Sequence, residues 1–492
     1  MTFERDYYAI LGVPPGADER AIKQAYRQLA RRYHPDTSTE EGAAQQFIEI
    51  QEAYELLIDP LQREGFDHWR RQQGVDRPLA LQMRITSSQE IMPYLNESQA
   101  LYILVELRAS KEAESGRLPL NLALVLDRST SMKGARLQHV KEAARSIVEQ
   151  MGPHDILSLV VFSDRGQVIL PGQPNIDKAA ARAAISSIRS GGGTELLQGL
   201  KLGLREVKRW HSEQVHSHVL LLADGRTYGD EEDCLQEARQ AGKQNISLTL
   251  MGIGEDWNEQ LLDQIAGFSQ GTSLYIDSSA KITQVFRERL QSLGSVFAQN
   301  LVLTLHLGEG VTIQQAFRVS PLISHLHLLD NAVALPALEK YQPQAMLLEL
   351  LLARHEPGEH RLLQVEVEGI VPALGSQPVR ARQAVTITFE ANLHHKAPVP
   401  PDIVSAVAQL TIFRMQERAM AEAERGQIGP AVNRLKRLAT RLLDIGEAEL
   451  ARATLLEAGR LDRTGSLSAK GIKQIRYGTR GLTILPKEVR YD

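Results

Sequence analysis

The chain has very little cysteine, since Cys234 is its one cysteine in 492 residues. An internal disulfide and a cysteine-based zinc site are therefore excluded, and such usage is typical of a reducing cytoplasm. The chain also has no large excess of positive or negative charge. Its net charge is -4, which favours neither nucleic-acid binding nor a membrane surface. Apolar runs are short: Ala345 to Ala353 is among the longest and contains a glutamate, far from a membrane-spanning helix.

Motifs of several enzyme classes are missing as well. There is no His-Glu-x-x-His helix, no nucleophile elbow and no Walker loop, since no lysine follows the run Gly191-Gly192-Gly193. We therefore expect a protein that is not an enzyme. The first sixteen residues carry Glu4, Arg5 and Asp6 where a signal peptide needs an apolar core, so we expect a cytoplasmic protein that contacts no membrane and no nucleic acid.

Length and hydrophobic periodicity predict a multidomain protein. Two strands precede an α/β region and more follow it, and two strands are not stable alone, so we predict an α/β domain inserted in an all-β sandwich. The predicted segments are an all-α N-terminal domain at 1–70, a linker at 71–78, the first sandwich strands at 79–110, the α/β domain at 117–295, the rest of the sandwich at 296–392, a C-terminal α-helical domain at 400–464, and a basic tail of unknown role at 465–492.

The N-terminal domain shows two amphipathic helices. The first, from Ala17 to Arg32, carries Lys23, Arg27 and Arg31 on one face, and Pro35 ends it. The second runs from about Glu41 to Leu57 and pairs with the first as a hairpin. A solvated basic face and a simple helix stop are the plain interpretations of these features.

The residues of this domain also match a known pattern. They are Asp6-Tyr7-Tyr8, Leu11-Gly12-Val13, Ile22 to Arg27, Leu29-Ala30, His34-Pro35-Asp36, Phe47, Ile50, Ala53-Tyr54, Leu56 and Arg63. This set resembles the J-domain of DnaJ-type co-chaperones. The resemblance implies that His34, Pro35 and Asp36, with the basic residues Lys23, Arg27 and Arg31, contact a DnaK-type chaperone and trigger its ATP hydrolysis.

Oxygen-bearing side chains follow the buried strands of the α/β region. Asp127, Ser129 and Ser131 come directly after the apolar run Leu120 to Leu126, and Asp224 follows another apolar strand. Ligands bind beyond the carboxyl ends of parallel strands, and hard oxygens suit magnesium or manganese. The alternative for the first loop is a turn and a helix N-cap, where Asp and Ser are preferred.

A second resemblance covers about residues 117 to 295. The set Asp127-x-Ser129-x-Ser131, Thr194 and Asp224 is similar to the metal-ion-dependent adhesion site of von Willebrand factor type A (VWA) domains; Phe162-Ser163 and Met251 to Gly254 extend it. The resemblance implies a doubly wound α/β fold, in which Asp127, Ser129, Ser131, Thr194 and Asp224 hold Mg²⁺ or Mn²⁺. It also implies a protein partner that reaches the metal through an acidic side chain.

The rest of the chain is predicted from periodicity. Strands are expected at 79–86, Leu101 to Leu107, Leu301 to Leu305, His325 to Leu329, Met346 to Leu352, Leu362 to Val367 and Val385 to Phe389, and helices at Asp402 to Glu424, Ile428 to Asp444 and Glu447 to Leu461. The helices hint at a tetratricopeptide-like repeat, although their apolar stripe is more simply core. The basic residues of the tail are interpreted as a solvated charge run.

Together these patterns favour a J-domain co-chaperone that binds a protein partner through a Mg²⁺-dependent VWA site. The alternative is a regulatory VWA subunit of a ring-ATPase or a metal-chelatase-like assembly.

Overall fold

A computed structural model of the chain describes residues 7–13, 17, 19–33, 43–72, 81–110, 118–374, 378–391 and 397–482. The chain forms two compact units, Met1–Ala80 and Leu81–Asp492. In the part of the chain that is described, no helix combines the length and the apolar character needed to cross a membrane.

The first unit is helical. Its helices are α1 (Tyr7–Leu11), α2 (Glu19–Arg32), α3 (Ala43–Ile58) and α4 (Pro60–Gln72). The apolar faces of α2 and α3 meet, and the rings of Tyr26 and Tyr54 stack with centroids 4.1 Å apart. Arg63 of α4 donates to the Tyr8 hydroxyl (2.8 Å) and to the carbonyl of Ala17 (2.7 Å), which fastens α4 to the rest of the unit.

Three strands open the second unit: β1 (Leu81–Ser87), β2 (Ile91–Pro93) and β3 (Gln99–Ala109). An α/β domain follows. Its strands are β4 (Leu120–Asp127), β5 (Ile156–Phe162), β6 (Gly166–Gln173), β7 (His216–Ala223), β8 (Ser247–Ile253) and β9 (Thr272–Ile276). Its helices are α5 (Ala135–Gln150), α6 (Lys178–Ser187), α7 (Leu196–Lys208), α8 (Glu231–Lys243), α9 (Glu259–Phe268) and α10 (Ile282–Gly294).

The sheet of this domain has the strand order β6-β5-β4-β7-β8-β9, and all pairs are parallel except β5 with β6. Strands β4, β5 and β7 are buried along their whole length, as their continuous apolar sequences predict for a sheet with helices on both faces. One apolar layer includes residues of α5 and α10, and the other includes residues of α7, α8 and α9. The carboxyl ends of β4 and β7 therefore meet at one edge, which is where the polar loops follow.

The strands after the α/β domain are β10 (Val296–Leu307), β11 (Val311–Ser320), β12 (Ser324–His325), β13 (Ala332–Leu335), β14 (Leu338–Glu339), β15 (Gln344–Leu352), β16 (Gly358–Ile370) and β17 (Pro378–Glu390). The predicted strand from His325 to Leu329 is wrong beyond His325, because the chain turns there through Asp330 and Asn331, both with positive φ. Strand β11 was not predicted, because two adjacent glutamines and a register shift break its alternation of apolar and polar residues.

Insertion of the α/β domain into a β-sandwich is confirmed by strand pairing. One sheet has the order β1-β3-β15-β11-β12, and the other has β13-β10-β16-β17-β2. Strand β3 lies between β1 and β15, with Ile103 opposite Leu348. Strands from both sides of the α/β domain thus share one sheet, since β1 and β3 could not satisfy their backbone hydrogen bonds alone.

Within residues 397–482, the C-terminal domain has four helices: α11 (Pro401–Glu424), α12 (Ile428–Asp444), α13 (Ala448–Thr464) and α14 (Ala469–Arg480). Helix α11 packs Ile403 and Leu410 on the sandwich, against Leu104 and Phe317. The other helices share a second apolar cluster with α11.

Helix α14 corrects the prediction of a solvated basic tail from residue 465. Ser468 caps it by accepting from the backbone N–H of Gly471 (2.9 Å). The side chain of Lys473 is 1% exposed and donates to Glu259 of α9 at 2.9 Å. The charges of this segment were mistaken for a solvated face because their acidic partners lie about two hundred residues earlier in the chain, where sequence periodicity gives no signal.

Candidate metal and partner-binding site

Asp127 forms the centre of the polar edge of the α/β sheet. It is the last residue of β4 and is completely buried. Its Oδ1 accepts from the backbone N–H of Ser129 at 2.7 Å, and its Oδ2 accepts from the backbone N–H of Asp224 at 3.2 Å. The first bond closes a turn within the loop after β4, and the second holds that loop against the loop after β7.

The two predicted serines and the second aspartate converge on this point. The hydroxyl of Ser131 donates to Asp224 Oδ1 at 2.6 Å, and the hydroxyl of Ser129 donates to the same oxygen at 3.1 Å. The two hydroxyl oxygens lie 2.9 Å apart. Four of the five predicted ligands therefore form one connected cluster: Asp127, Ser129, Ser131 and Asp224. The alternative for Asp127 and Ser131 was a turn and a helix N-cap. The turn is present, because Asp127 accepts from the backbone N–H of Ser129. Ser131 is not an N-cap, since Gly134 holds that position of α5 and the Ser131 hydroxyl donates to Asp224 instead.

Thr194 approaches the cluster from the glycine-rich loop. That loop is held to the loop after β4, because Gly191 N–H donates to the carbonyl of Arg128 (2.8 Å) and Thr130 N–H donates to that of Gly192 (3.0 Å). A Cβ placed on Gly225 would lie 2.7 Å from Thr194 Oγ1. Thr194 thus lies directly beside the turn that follows Asp224, and only glycine leaves it that room.

Two buried carboxylates and one arginine determine the electrostatics of the cluster. Burial, and then the charge of Asp224, raise the pKa of Asp127 to about 7. Arg136 supplies a positive charge, with Nη1 3.2 Å from Asp224 Oδ2. Among the described residues no cluster of three or more His, Cys, Asp or Glu side chains could hold a metal, so the donors here are two carboxylates and neutral hydroxyls. This all-oxygen set fits Mg²⁺ or Mn²⁺.

Three features of the site were missed by the sequence analysis. Arg136 is in the first turn of α5, and a helix position gives no hint that its side chain reaches another loop. Asp164 accepts from Gly193 N–H at 2.7 Å and so supports the glycine-rich loop. Tyr228, four residues after Asp224, is 81% exposed. The sequence carried a signal for this residue, because Tyr228 stands in the polar stretch that directly follows Asp224.

The structure describes only some of the predicted chaperone-binding residues. Lys23 and Arg27 lie on α2, where Arg27 is exposed and Lys23 pairs with Glu19 one turn earlier. Arg31 belongs to the same helix. His34, Pro35 and Asp36 lie outside the described residues.

Known protein families match three segments of the chain. Residues 6–67 match the DnaJ domain family, residues 121–288 match the von Willebrand factor type A domain, and residues 401–484 match the Sll0103-like C-terminal alpha-helical domain. The chain joins a DnaJ domain to a VWA domain. The boundary between the families agrees with the separate compact units, and the fold class is as predicted.

Relatives resemble different parts of this J-domain–VWA chain. An uncharacterised protein of Synechocystis, sll0103, is 29% identical over 330 residues, which are 65% of this chain and 78% of that protein. A curved DNA-binding protein of Pseudomonas putida is 57% identical over 70 residues, 14% of this chain and 22% of the relative. The chain thus matches less than a quarter of the second protein, so the name of that protein is no evidence that this chain binds DNA.

Solved structures agree with the fold. A von Willebrand factor type A protein from Catenulispora acidiphila has a TM-score of 0.67 at 16% identity, covering 82% of this chain and 97% of that one. An ArnB paralog, VWA2, from Sulfolobus acidocaldarius has a TM-score of 0.52 at 15% identity, covering 82% and 98%. At these identities the likeness supports the fold alone.

Proposed function

We propose that this chain is a J-domain co-chaperone that brings one protein partner, held by its VWA domain, to a DnaK-type chaperone. The observation that carries the proposal is the convergence of Asp127, Ser129, Ser131 and Asp224 at one edge of the VWA sheet, in a chain that begins with a J-domain. The chain has a single cysteine, so it lacks the cysteine-rich zinc repeats of many J-proteins. Its partner is therefore held elsewhere, and the VWA domain is the part suited to that task.

The metal in this proposal is Mg²⁺ or Mn²⁺. Asp127, Ser129, Ser131, Thr194 and Asp224 would hold it, directly or through water, and the ion would supply the positive charge that a partner's carboxylate binds. Magnesium takes about six oxygens, and this set offers fewer direct ligands, which leaves a position for a ligand from outside. The exposed ring of Tyr228 lies in the loop after Asp224 and would contact the same partner.

The J-domain acts on the chaperone, not on the partner. Exposed Arg27 and its neighbours on α2 provide positive charge, which steers association with an acidic surface. His34, Pro35 and Asp36 would then trigger ATP hydrolysis by the chaperone. The chain itself performs no catalysis in this proposal, and the cytoplasm, where such chaperones act, is its proposed location.

Two measurements on the full chain test the proposal. Stimulation of the ATPase of a DnaK-type chaperone from the same organism is expected with wild type and with Asp127→Ala, but not with His34→Gln. Mg²⁺-dependent capture of a protein partner is expected with wild type and His34→Gln, but not with Asp127→Ala. Asp233→Ala, an exposed aspartate of the same domain, is the matched control.

Failure of either measurement is informative. A chain that never stimulates the chaperone is not a J-domain co-chaperone. A ring-forming ATPase that is captured with intact Asp127, and whose activity changes with the chain, would favour the regulatory subunit instead. Capture that ignores both chelator and Asp127→Ala would place the binding surface outside the metal site.

A further inference from the structure

A cavity of about 50 Å³, partly open to solvent, lies at the end of the VWA sheet opposite the metal site, where this domain meets the sandwich. His216 and His218, at the amino end of β7, line it together with Arg289 of α10. The sandwich contributes Arg318 of β11 and Gln344 of β15, and Glu339 completes its charged lining. Nothing in the proposed function uses this cavity.

Positive charge is in excess around the cavity. Arg289 donates to Thr249 Oγ1 (2.9 Å) and to Ser292 Oγ (3.1 Å), and its Nη1 lies 3.7 Å from Glu339. Arg318 donates through Nε to the neutral carbonyl of Leu322 at 3.3 Å, and among the described residues it forms no ion pair. Of the two guanidinium groups, only that of Arg289 therefore has a carboxylate near it among the described residues.

Two polar atoms of the lining are buried without a partner among the described residues: Nδ1 of His218 and Oε1 of Gln344. His218 is 1% exposed and Gln344 is 3% exposed. A buried polar atom without a hydrogen-bond partner destabilises the fold, so an occupied cavity is favoured over an empty one.

The chemistry of both orphan atoms follows from their neighbours. Arg289 can only donate, so the hydroxyl oxygen of Thr249 accepts from it. The hydroxyl proton of Thr249 is then available for Nε2 of His218, 2.9 Å away. With Thr249 as the donor to Nε2, the ring proton of neutral His218 is on Nδ1, and Nδ1–H is a donor. The amide nitrogen of Gln344 donates to the carbonyls of Pro336 and Ala337, which fixes Oε1 as an acceptor.

The cavity also disfavours further positive charge. Burial, and then the charge of Arg289, lower the pKa of His216 to about 4 and the pKa of Arg318 to about 10. The same causes hold the pKa of His218 well below its usual value. Both histidines are therefore neutral at pH 7, and the remaining imbalance comes from the two arginines.

We propose that this cavity binds one small oxyanion that also carries a hydroxyl, of which hydrogenphosphate is the simplest. Its oxygens would accept from Arg318, Arg289 and His218 Nδ1–H, and its hydroxyl would donate to Gln344 Oε1. Chloride offers no donor for Gln344. A water needs about 10–15 Å³ by the same volume measure, so the cavity has room for a polyatomic ion. The ion would tie the VWA domain to the sandwich, because its ligands come from both.

The test uses the full chain in chelator-treated, phosphate-free buffer at fixed ionic strength. Calorimetric titration with inorganic phosphate should show one site, and saturating phosphate should raise the thermal midpoint by about 2–4 °C. Chloride and sulfate are the comparison salts, and neither carries a hydroxyl at neutral pH, so both should raise the midpoint less. Arg318→Gln should abolish the extra rise in thermal midpoint that phosphate gives over the other two salts. Arg361 is an exposed arginine of the same sandwich, and Arg361→Gln should retain that rise.

A structural role for Arg318 would give a different result. If its function were packing alone, Arg318→Gln would lower the midpoint equally with and without phosphate, and the extra rise given by phosphate would survive. Arg318→Lys keeps the charge and is expected to bind phosphate more weakly, which covers the case in which the glutamine variant does not fold. Equal effects of the three salts on wild type, or the absence of heat on titration, would mean that water alone fills the cavity.

Discussion

Nη1 of Arg136 lies 3.2 Å from Oδ2 of Asp224, whose other oxygen accepts from Ser129 and Ser131. The arginine is 40% exposed, whereas the carboxylate is completely buried. A predicted metal ligand is thus already paired with a cation of the protein itself. Gly254, with φ of +77°, lies beside the same guanidinium and leaves it room.

Removal of Arg136 should strengthen magnesium binding. Because the guanidinium competes with the metal for Asp224, Arg136→Gln is expected to raise Mg²⁺ affinity about threefold to fivefold, or ~0.6–1 kcal/mol for a partly exposed pair. Titration calorimetry of the full chain measures this, with Arg182→Gln, a surface arginine paired with Glu149, as the control. Weaker binding in the variant would show that Arg136 positions Asp224 for the metal and does not compete with it.

The His34 tripeptide should matter to the chaperone and not to stability. His34→Gln is expected to remove ATPase stimulation and to leave Mg²⁺ affinity and the unfolding midpoint unchanged. Gln51→Ala, an exposed residue of α3, should stimulate like wild type. Stimulation that survives in His34→Gln would show that the tripeptide does not trigger the chaperone.

Helix α14 should hold the C-terminal domain on the VWA domain through Lys473. Its ammonium is 2.9 Å from Glu259 and lies over the ring of Trp257, 4.9 Å from the centroid. Lys473→Ala is expected to lower the free energy of unfolding by about 3 kcal/mol, and Lys473→Met by less because it keeps the apolar stem. Lys470→Ala, exposed on the same helix, should change it by less than about 0.5 kcal/mol. Denaturant unfolding measures all three, and equal losses for Lys473→Ala and Lys470→Ala would contradict the contact.

Acid should destabilise the second unit through its buried histidines. His216 titrates near 6.5 when unfolded, but burial lowers its pKa to about 4 in the folded chain. The unfolded state therefore binds the proton more tightly, so stability is full above pH 6.5 and falls as the pH drops towards 4. The expected loss is about 3 kcal/mol for this residue.

Denaturant unfolding between pH 7 and pH 4 in phosphate-free buffer checks this expectation. His216→Gln should flatten the profile, and His154→Gln, which is exposed, should not. A profile that is identical in wild type and His216→Gln would mean that other groups cause the acid sensitivity.

Much of the fold follows from local patterns. The helix Ile428–Asp444 was predicted to the residue, because its apolar positions recur every three or four residues. The continuous apolar run that ends at Asp127 correctly indicated a strand buried on both faces, since such runs arise where helices cover both sides of a sheet. Strand β11 was missed because Gln314 and Gln315 lie together where its register shifts.

The candidate site also combines residues that local sequence predicted with contacts that it did not. Asp127, Ser129 and Ser131 are close in sequence, and the end of a parallel strand places them, so the sequence by itself determined that oxygens would meet Asp224 at one edge of the sheet. Only the tertiary structure decided that Arg136 contacts Asp224, that Lys473 is buried against Glu259, and that Arg289 and Arg318 share a cavity. These are charged side chains, and hydrophobic periodicity assigns charged residues to solvent. Their burial depends on partners distant in the chain, and no local pattern encodes those pairings.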